Sequence, residues 1–196
     1  MKTEYEVKFL AIDTDEIRER LRAHGAELVK PMRLMKRVTI DTPAMKQKDA
    51  FVRVRDEGDR TTLTYKQFDQ LSVDGAKEYE VTVSDFDETV QLLTAAGLPH
   101  GSFQESKRET WELDHVELMI DEWPWLKPYI EIEAGSEQEV RPMAERLGFD
   151  WNDAVFGDVM AAYRAQYPHL SKEQSVGDVA EMTFDGPTPD MFKTNL

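Results

Sequence analysis

Residues 4–9 read EYEVKF, and this strict alternation sets the reading of the whole chain. Tyr5, Val7 and Phe9 fall on one face of an extended strand. Glu4, Glu6 and Lys8 fall on the other, about 7 Å apart along it. Antiparallel sheets commonly solvate one face, so the stretch by itself is a half-buried strand whose charges meet water.

Seven further stretches keep the same habit. KRVTID (36–41) sets Val38 and Ile40 against Arg37, Thr39 and Asp41, and Pro43 then breaks it. FVRVR (51–55) opposes Val52 and Val54 to Arg53 and Arg55. DEGD (56–59) reads as a turn, and TTLTYK (61–66) as the hairpin partner, with Leu63 and Tyr65 opposed to Thr62, Thr64 and Lys66. KEYEVTV (77–83) sets Tyr79, Val81 and Val83 against Glu78, Glu80 and Thr82. SKRETWEL (106–113) puts Arg108, Thr110 and Glu112 on one face, with Ser106 in phase and Lys107 pointing outward. VELMID (116–121) opposes Glu117, Met119 and Asp121 to Leu118 and Ile120. YIEIE (129–133) opposes Glu131 and Glu133 to Ile130 and Ile132.

Helical spacing lies between these strands. Residues 14–28 carry Ile17, Leu21 and Leu28, with Asp13 or Thr14 as cap and Gly25 as stop. Residues 85–97 carry Val90, Leu92, Leu93 and Ala96 on an amphipathic helix. Residues 136–148 predict a helix in which Pro142 marks either the interior or the first turn. Residues 159–166 predict another, packing Met160, Ala161 and Tyr163. Beyond Pro168 the chain allows one short helix before an irregular DGPTPD (185–190).

The 196 residues, 40% of them hydrophobic, suit one domain with a sizeable core and an appendage, divided here as 1–170 and a tail 171–196. There is no cysteine, so disulfides and thiolate metal sites are excluded. No apolar run reaches the length of a signal or a membrane span, and the expectation is a cytoplasmic protein with no membrane partner. A net charge of −15 argues against a broad nucleic-acid footprint but leaves room for an anion in a local basic pocket.

The density of charge on the polar face points to a site. A solvated sheet scatters Lys, Glu, Thr and Gln; here the face is crowded with Arg, Lys, Glu and Asp. If the helices cover the apolar side and the sheet curls into a barrel, the charged side becomes a lumen. Glu4, Glu6, Glu78, Glu80, Asp121, Glu131 and Glu133 would then share it with Lys8, Arg37, Arg53, Arg55, Lys66 and Arg108. Hard divalent cations take carboxylate oxygens, while guanidinium and ammonium groups take phosphate oxygens. A polyphosphate with Mg2+ or Mn2+ neutralises both sets together.

The run of motifs resembles the CYTH domains, also called triphosphate tunnel metalloenzymes. The resemblance rests on ExExK at Glu4, Glu6 and Lys8, RVR at Arg53 and Arg55, TLTYK ending in Lys66, EYE at Glu78 and Glu80, Arg108, Asp121, and EIE at Glu131 and Glu133, in order across roughly residues 2–165. It implies an α+β fold, an eight-stranded antiparallel β-barrel, tunnel or cup, with helices packed outside. It implies that Lys8, Arg53, Arg55, Lys66 and Arg108 hold phosphates, that Glu4, Glu6, Asp121, Glu131 and Glu133 hold metal, and that Glu78 and Glu80 line the site. The chain departs from the family pattern at Ser106, where many members place a lysine two residues before the arginine, and in its tail.

The expected activity is hydrolysis of a terminal phosphoanhydride, with Glu4, Glu6 and Lys8 at the catalytic centre. Two rivals use the same residues: adenylyl cyclisation, releasing cyclic AMP and pyrophosphate, and non-catalytic binding of nucleotide or polyphosphate by a sensor. The partner is a triphosphate-containing small molecule, and a homodimer is the default oligomer. His24, His100, His115 and His169 lack metal-ligand spacing, and Trp111, Trp123, Trp125 and Trp151 read as core or rim packing.

Overall fold

The computed structural model describes residues 1–193. Eight strands close into a barrel: β1 (Lys2–Phe9), β2 (Glu27–Ile40), β3 (Ala50–Asp56), β4 (Thr61–Phe68), β5 (Ala76–Val83), β6 (Ser102–Leu113), β7 (Val116–Trp123) and β8 (Leu126–Ala134). Round the barrel the order is β2-β3-β4-β5-β1-β8-β7-β6, and a β2–β6 ladder closes it. Every one of these pairings is antiparallel. A short ninth strand, β9 (Glu181–Met182), runs parallel to β6 outside the ring.

Two meanders, β2 to β5 and β6 to β8, therefore make the barrel. They are joined on one side by the β2–β6 seam and on the other by β1, which sits between β5 and β8. The seam is irregular: the register slips between Leu28 and Lys30 and again between Lys30 and Arg33. Pro31, which has no N–H to donate, falls in this stretch, where β2 has no second neighbour.

The core lies outside the barrel wall. Val7, Leu118, Ile120, Ile130 and Ile132 point outward from β1, β7 and β8 and are fully buried. Each contributes about 1.5–3 kcal/mol by leaving water. Two helices cover them. α1 (Thr14–Ala23) is capped by Asp13, which accepts N–H bonds from Asp15 and Glu16, and it buries Ile17 and Leu21. Gly25 at φ +83° ends it, so Leu28 belongs to β2, where it is half-exposed, and not to the helix. α4 (Glu137–Arg146) buries Val140, Met143 and Ala144, with Pro142 in its interior.

The remaining helices behave differently. α2 (Pro43–Lys46) is a single turn after β2. α3 (Phe86–Ala95) is capped by Asp85 but buries no residue, and Leu92 is 66% exposed. Helical cover of the apolar sheet face thus fails over β5, where Tyr79 and Val81 are exposed. α5 (Val159–Gln166) buries Met160, Ala162 and Tyr163 at one end of the barrel, with the half-buried Ala161 turned aside. The tail packs onto α5 through Leu170, Val176, Met182 and Phe192, and the Phe192 ring stacks on Tyr163 at 4.9 Å. Among the described residues no helix is long and apolar enough to cross a membrane.

Candidate functional site

Residues paired directly across a ladder share a face, so the register states which side chains meet in the lumen. Glu6 faces Glu133 and Lys8 faces Glu131 across β1–β8. Lys66 faces Glu78, and Thr64 faces Glu80, across β4–β5. Arg37 faces Arg55 across β2–β3, and Arg108 faces Asp121 across β6–β7. These side chains, Thr64 and Asp121 excepted, line one cavity of about 420 Å³.

The lumen is polarised. β5, β1 and β8 supply Glu78, Glu80, Glu4, Glu6, Glu131 and Glu133; β6, β2 and β3, on the far wall, supply Arg108, Arg33, Arg37, Arg53 and Arg55. Two lysines neutralise part of the acidic wall. Lys8 Nζ lies 3.0 Å from Glu6 Oε1 and 2.8 Å from Glu131 Oε2, and donates to the Gly157 carbonyl at 2.8 Å. Lys66 Nζ lies 2.7 Å from Glu4 and 3.0 Å from Glu6. Burial disfavours both ammonium ions, but the surrounding carboxylates outweigh it and hold them above the usual lysine range.

Negative charge is still in surplus. Burial, then the charges of Glu4, Glu131 and Glu6, push the Glu133 carboxyl up to about 8. Burial and Glu4 push Glu78 up to about 7. Glu131 goes the other way: burial would raise it, but Lys8, Arg108 and Lys66 pull it below the ordinary carboxylate range. Oxygens of Glu6, Glu131 and Glu133 all lie within 4.8 Å of one another. Three hard oxygen donors gathered this closely, one of them destabilised as an anion, fit a divalent cation such as Mg2+ or Mn2+.

The basic wall is short of anions. Among the described residues Arg37 bonds only Ser106 Oγ, at 2.8 Å, and its guanidinium lies 4.3 Å from the Trp123 ring centroid. Burial, then Arg53, Arg55 and Arg108, hold it well below the usual arginine range. Arg55 is pushed down to about 10 by burial and by Arg53 and Arg108. The Nε atoms of Arg37, Arg53 and Arg55 are buried without a hydrogen-bond partner among the described residues. Unspent donors converging on a cavity are what a bound phosphate chain satisfies.

Sequence reading placed these residues in phase but did not foresee all their partners. Asp121 is 1% exposed and is gripped by Arg108, Nε to Oδ1 at 2.7 Å and Nη2 to Oδ2 at 2.6 Å, so it stands behind the arginine and not among the cavity-lining residues. Glu4 is held by Lys66 and lies outside the close triad of carboxylates. Lys107 points outward, as its phase predicts, with Nζ 4.4 Å from the Phe184 ring centroid.

Several lining residues escaped the sequence reading: Arg33, Glu57, Arg60, Tyr129 and Asp158. Glu57, read as part of a turn, is 2% exposed and paired with Arg55 and Arg60; burial would raise its pKa, but those two cations bring it to about 2. Extending the alternation of β3 by two residues reaches Glu57, which is the signal that could have found it.

The chain matches the CYTH domain model over residues 2–152. No curated protein shows significant sequence similarity to it. Among solved structures, a conserved hypothetical protein from Pyrococcus furiosus is 21% identical, with 78% of this chain and 94% of that one covered and a TM-score of 0.66. A candidate adenylate cyclase from Vibrio parahaemolyticus is 11% identical over 83% and 98% of the two chains, with a TM-score of 0.70. A candidate adenylyl cyclase from Hippeastrum, with a dominant triphosphatase activity, is 15% identical over 85% and 96%, with a TM-score of 0.53. At these identities the structural likeness speaks for the fold, and the family match covers the strands that build the charged lumen. This chain belongs to the CYTH domain family.

Proposed function

We propose that the chain is a divalent-metal-dependent triphosphatase that hydrolyses a terminal phosphoanhydride inside the barrel. The observation that carries the reading is the polarised lumen: carboxylates in surplus on β5, β1 and β8 face guanidinium groups in surplus on β6, β2 and β3. A triphosphate with its cation brings each wall the charge it lacks.

Arg37, Arg53, Arg55 and Arg108 grip the phosphate oxygens, and their fixed forks set the chain in line for attack. Lys8 and Lys66 place positive charge among the carboxylates of the acidic wall, close to where charge develops in the transition state. Glu6, Glu131 and Glu133 hold Mg2+ or Mn2+, which when bound supplies Lewis-acid neutralisation of the phosphate oxygens. Glu4 or Glu6 orients the attacking water and receives its proton. Asp121 positions Arg108, and Glu78 and Glu80 tune the acidic lining.

The test is a product assay with tripolyphosphate, ATP and thiamine triphosphate, each with Mg2+ or Mn2+. Orthophosphate release that vanishes in a Glu6→Gln, Glu133→Gln double variant supports the reading. Cyclic AMP with pyrophosphate from ATP replaces it with cyclisation, and tight binding without any product replaces it with a sensor.

A further inference from the structure

The two ends of the barrel differ. At one end the lumen-facing residues Lys2, Glu80 and Glu117 are exposed, and Lys30, Arg33 and Arg60 stand around the opening. At the other end the lumen-facing residues Ser102, Gln104, Trp123 and Tyr129 are 0–5% exposed. What covers them is the segment beyond the family match: Asp158 and Val159 at the start of α5, and Ser175, Val176 and Gly177 of the tail, all of which line the cavity.

The tail is built into this end. Ser102 Oγ donates to the Val176 carbonyl at 3.2 Å, and Gln104 Nε2 to the same oxygen at 3.3 Å. The inner face of β6 thus turns from Arg108, which meets the cavity, to two polar residues that bond the tail backbone. β7 pairs with β6 only from Lys107 onward, and β9 takes up the free edge at Phe103 and Gln104. Val176 is 4% exposed, in the cluster that joins Met160 and Tyr163 of α5 to Met182 and Phe192 of the tail. Across the rim, Lys46 lies 3.0 Å from Asp178 and 3.3 Å from Asp41, tying the tail to the β2–β3 connection. Gly177 sits so close that an added Cβ would meet Asp41 and Thr39 at 3.7 and 3.9 Å.

We infer that residues 175–178 form a floor that makes the barrel a one-mouthed cup, and that this floor is a specificity element confining the reaction to the free ends of phosphate chains. A linear polyphosphate can enter a cup only terminus first, whereas an open tube would let it thread and be cut internally. The balance of the step is ordinary hydrolysis: water adds to the terminal phosphorus, the bridging P–O bond breaks, and the shortened chain leaves with the bridging oxygen. The chain-end part of this inference rests on the triphosphatase reading; the closure of the floor does not.

Two variants open the floor: Val176→Asp, which puts a charge where the tail is anchored, and the milder surface change Asp178→Lys, which sets like charges against Lys46. Closure is read without catalysis. Because the chain has no cysteine, a Thr39→Cys substitution gives a single thiol just inside the floor. A bulky polymer maleimide too large for the lumen should label it at least about tenfold faster in an opened background, the factor that follows from a modest loss of tail docking. Equal labelling rates, with folding confirmed by circular dichroism, overturn the floor.

The specificity is read on long-chain polyphosphate by gel. The unaltered protein should shorten chains from their ends and release orthophosphate, and the opened variants should give mid-length fragments. Internal cutting by the unaltered protein, or end-only cutting by a variant whose thiol has become accessible, overturns the assignment. If none of tripolyphosphate, ATP and thiamine triphosphate releases orthophosphate, the triphosphatase reading fails, while the labelling result still decides the floor.

Discussion

Lys8 and Glu131 face each other across the β1–β8 ladder, Nζ to Oε2 at 2.8 Å, and the same ammonium also meets Glu6 and the Gly157 carbonyl. Lys8 is 2% exposed, and its removal leaves buried Glu6 and Glu131 close together with only Lys66 and Arg108 to balance them. Lys8→Met should cost about 3–5 kcal/mol of stability, as broken buried pairs do. It should also cut kcat about a hundredfold or more, as loss of a transition-state contact does. Thermal unfolding and steady-state hydrolysis of tripolyphosphate check both, and an unchanged Tm would show that Lys8 is not the linchpin of the acidic wall.

Gly157 holds that carbonyl in place with φ +103°, and a Cβ there would fall 2.8 Å from Leu71 Cδ2. Gly157→Ala should lose about 1–3 kcal/mol through backbone strain and should lower kcat by moving the acceptor away from Lys8. Leu71→Ala, at a side chain 76% exposed, should leave both Tm and kcat unchanged. The double variant relieves the clash but not the strain, so it should recover only part of the loss.

Arg37 is the opposite case, a buried cation crowded by cations. Arg37→Met should raise the Tm of the ligand-free protein by about the equivalent of 1 kcal/mol or more, since an apolar side chain replaces an unpaired charge. The same change should weaken tripolyphosphate binding in calorimetry. A variant that is both less stable and unchanged in affinity would remove Arg37 from the phosphate wall.

The pH dependence of stability follows from Glu133 and Glu78, raised to about 8 and about 7. Between pH 4.5 and these values the folded chain holds protons that the unfolded chain has lost, so stability falls as pH rises. With chelator present, Tm should therefore decline from about pH 5 to pH 8, apart from other titrations. Mg2+ or Mn2+ should restore it most strongly at the alkaline end, where the carboxylates are free to bind, and Glu133→Gln should flatten the decline. A Tm insensitive to metal at pH 8 would argue against the Glu6, Glu131 and Glu133 site.

Strand phase was legible in the sequence wherever period two is unbroken. Glu6, Lys8, Arg53, Arg55, Lys66 and Glu131 needed only alternation to be set on the inner face, and the ladders bear that out. Arg33 was not legible, because the slips around Lys30 and the proline at 31 destroy the alternation just before it. Asp121 shows a second kind of limit. Its phase was right, yet whether a carboxylate meets a metal or an arginine depends on the neighbouring strand, and here Arg108 claims both oxygens. Asp158 and the tail come from far along the chain and carry no local pattern that points to a lumen.

The placing of β1 between the two meanders has a consequence for how the chain reaches this state. β5 ends at Val83 and β8 begins only at Leu126, so the earliest strand in sequence gains both of its neighbours only after nearly all the others exist. Such long-range pairings are slow to form, because the chain between them must be ordered first. Until β1 docks, β5 and β8 are open edges of the kind that recruit other chains, and the net charge of −15 is then a deterrent to clumping. EYEVKF, the stretch that brings Glu4, Glu6 and Lys8, is therefore the stave that tightens the cask, and a half-folded chain has no complete centre with which to seize metal or phosphate.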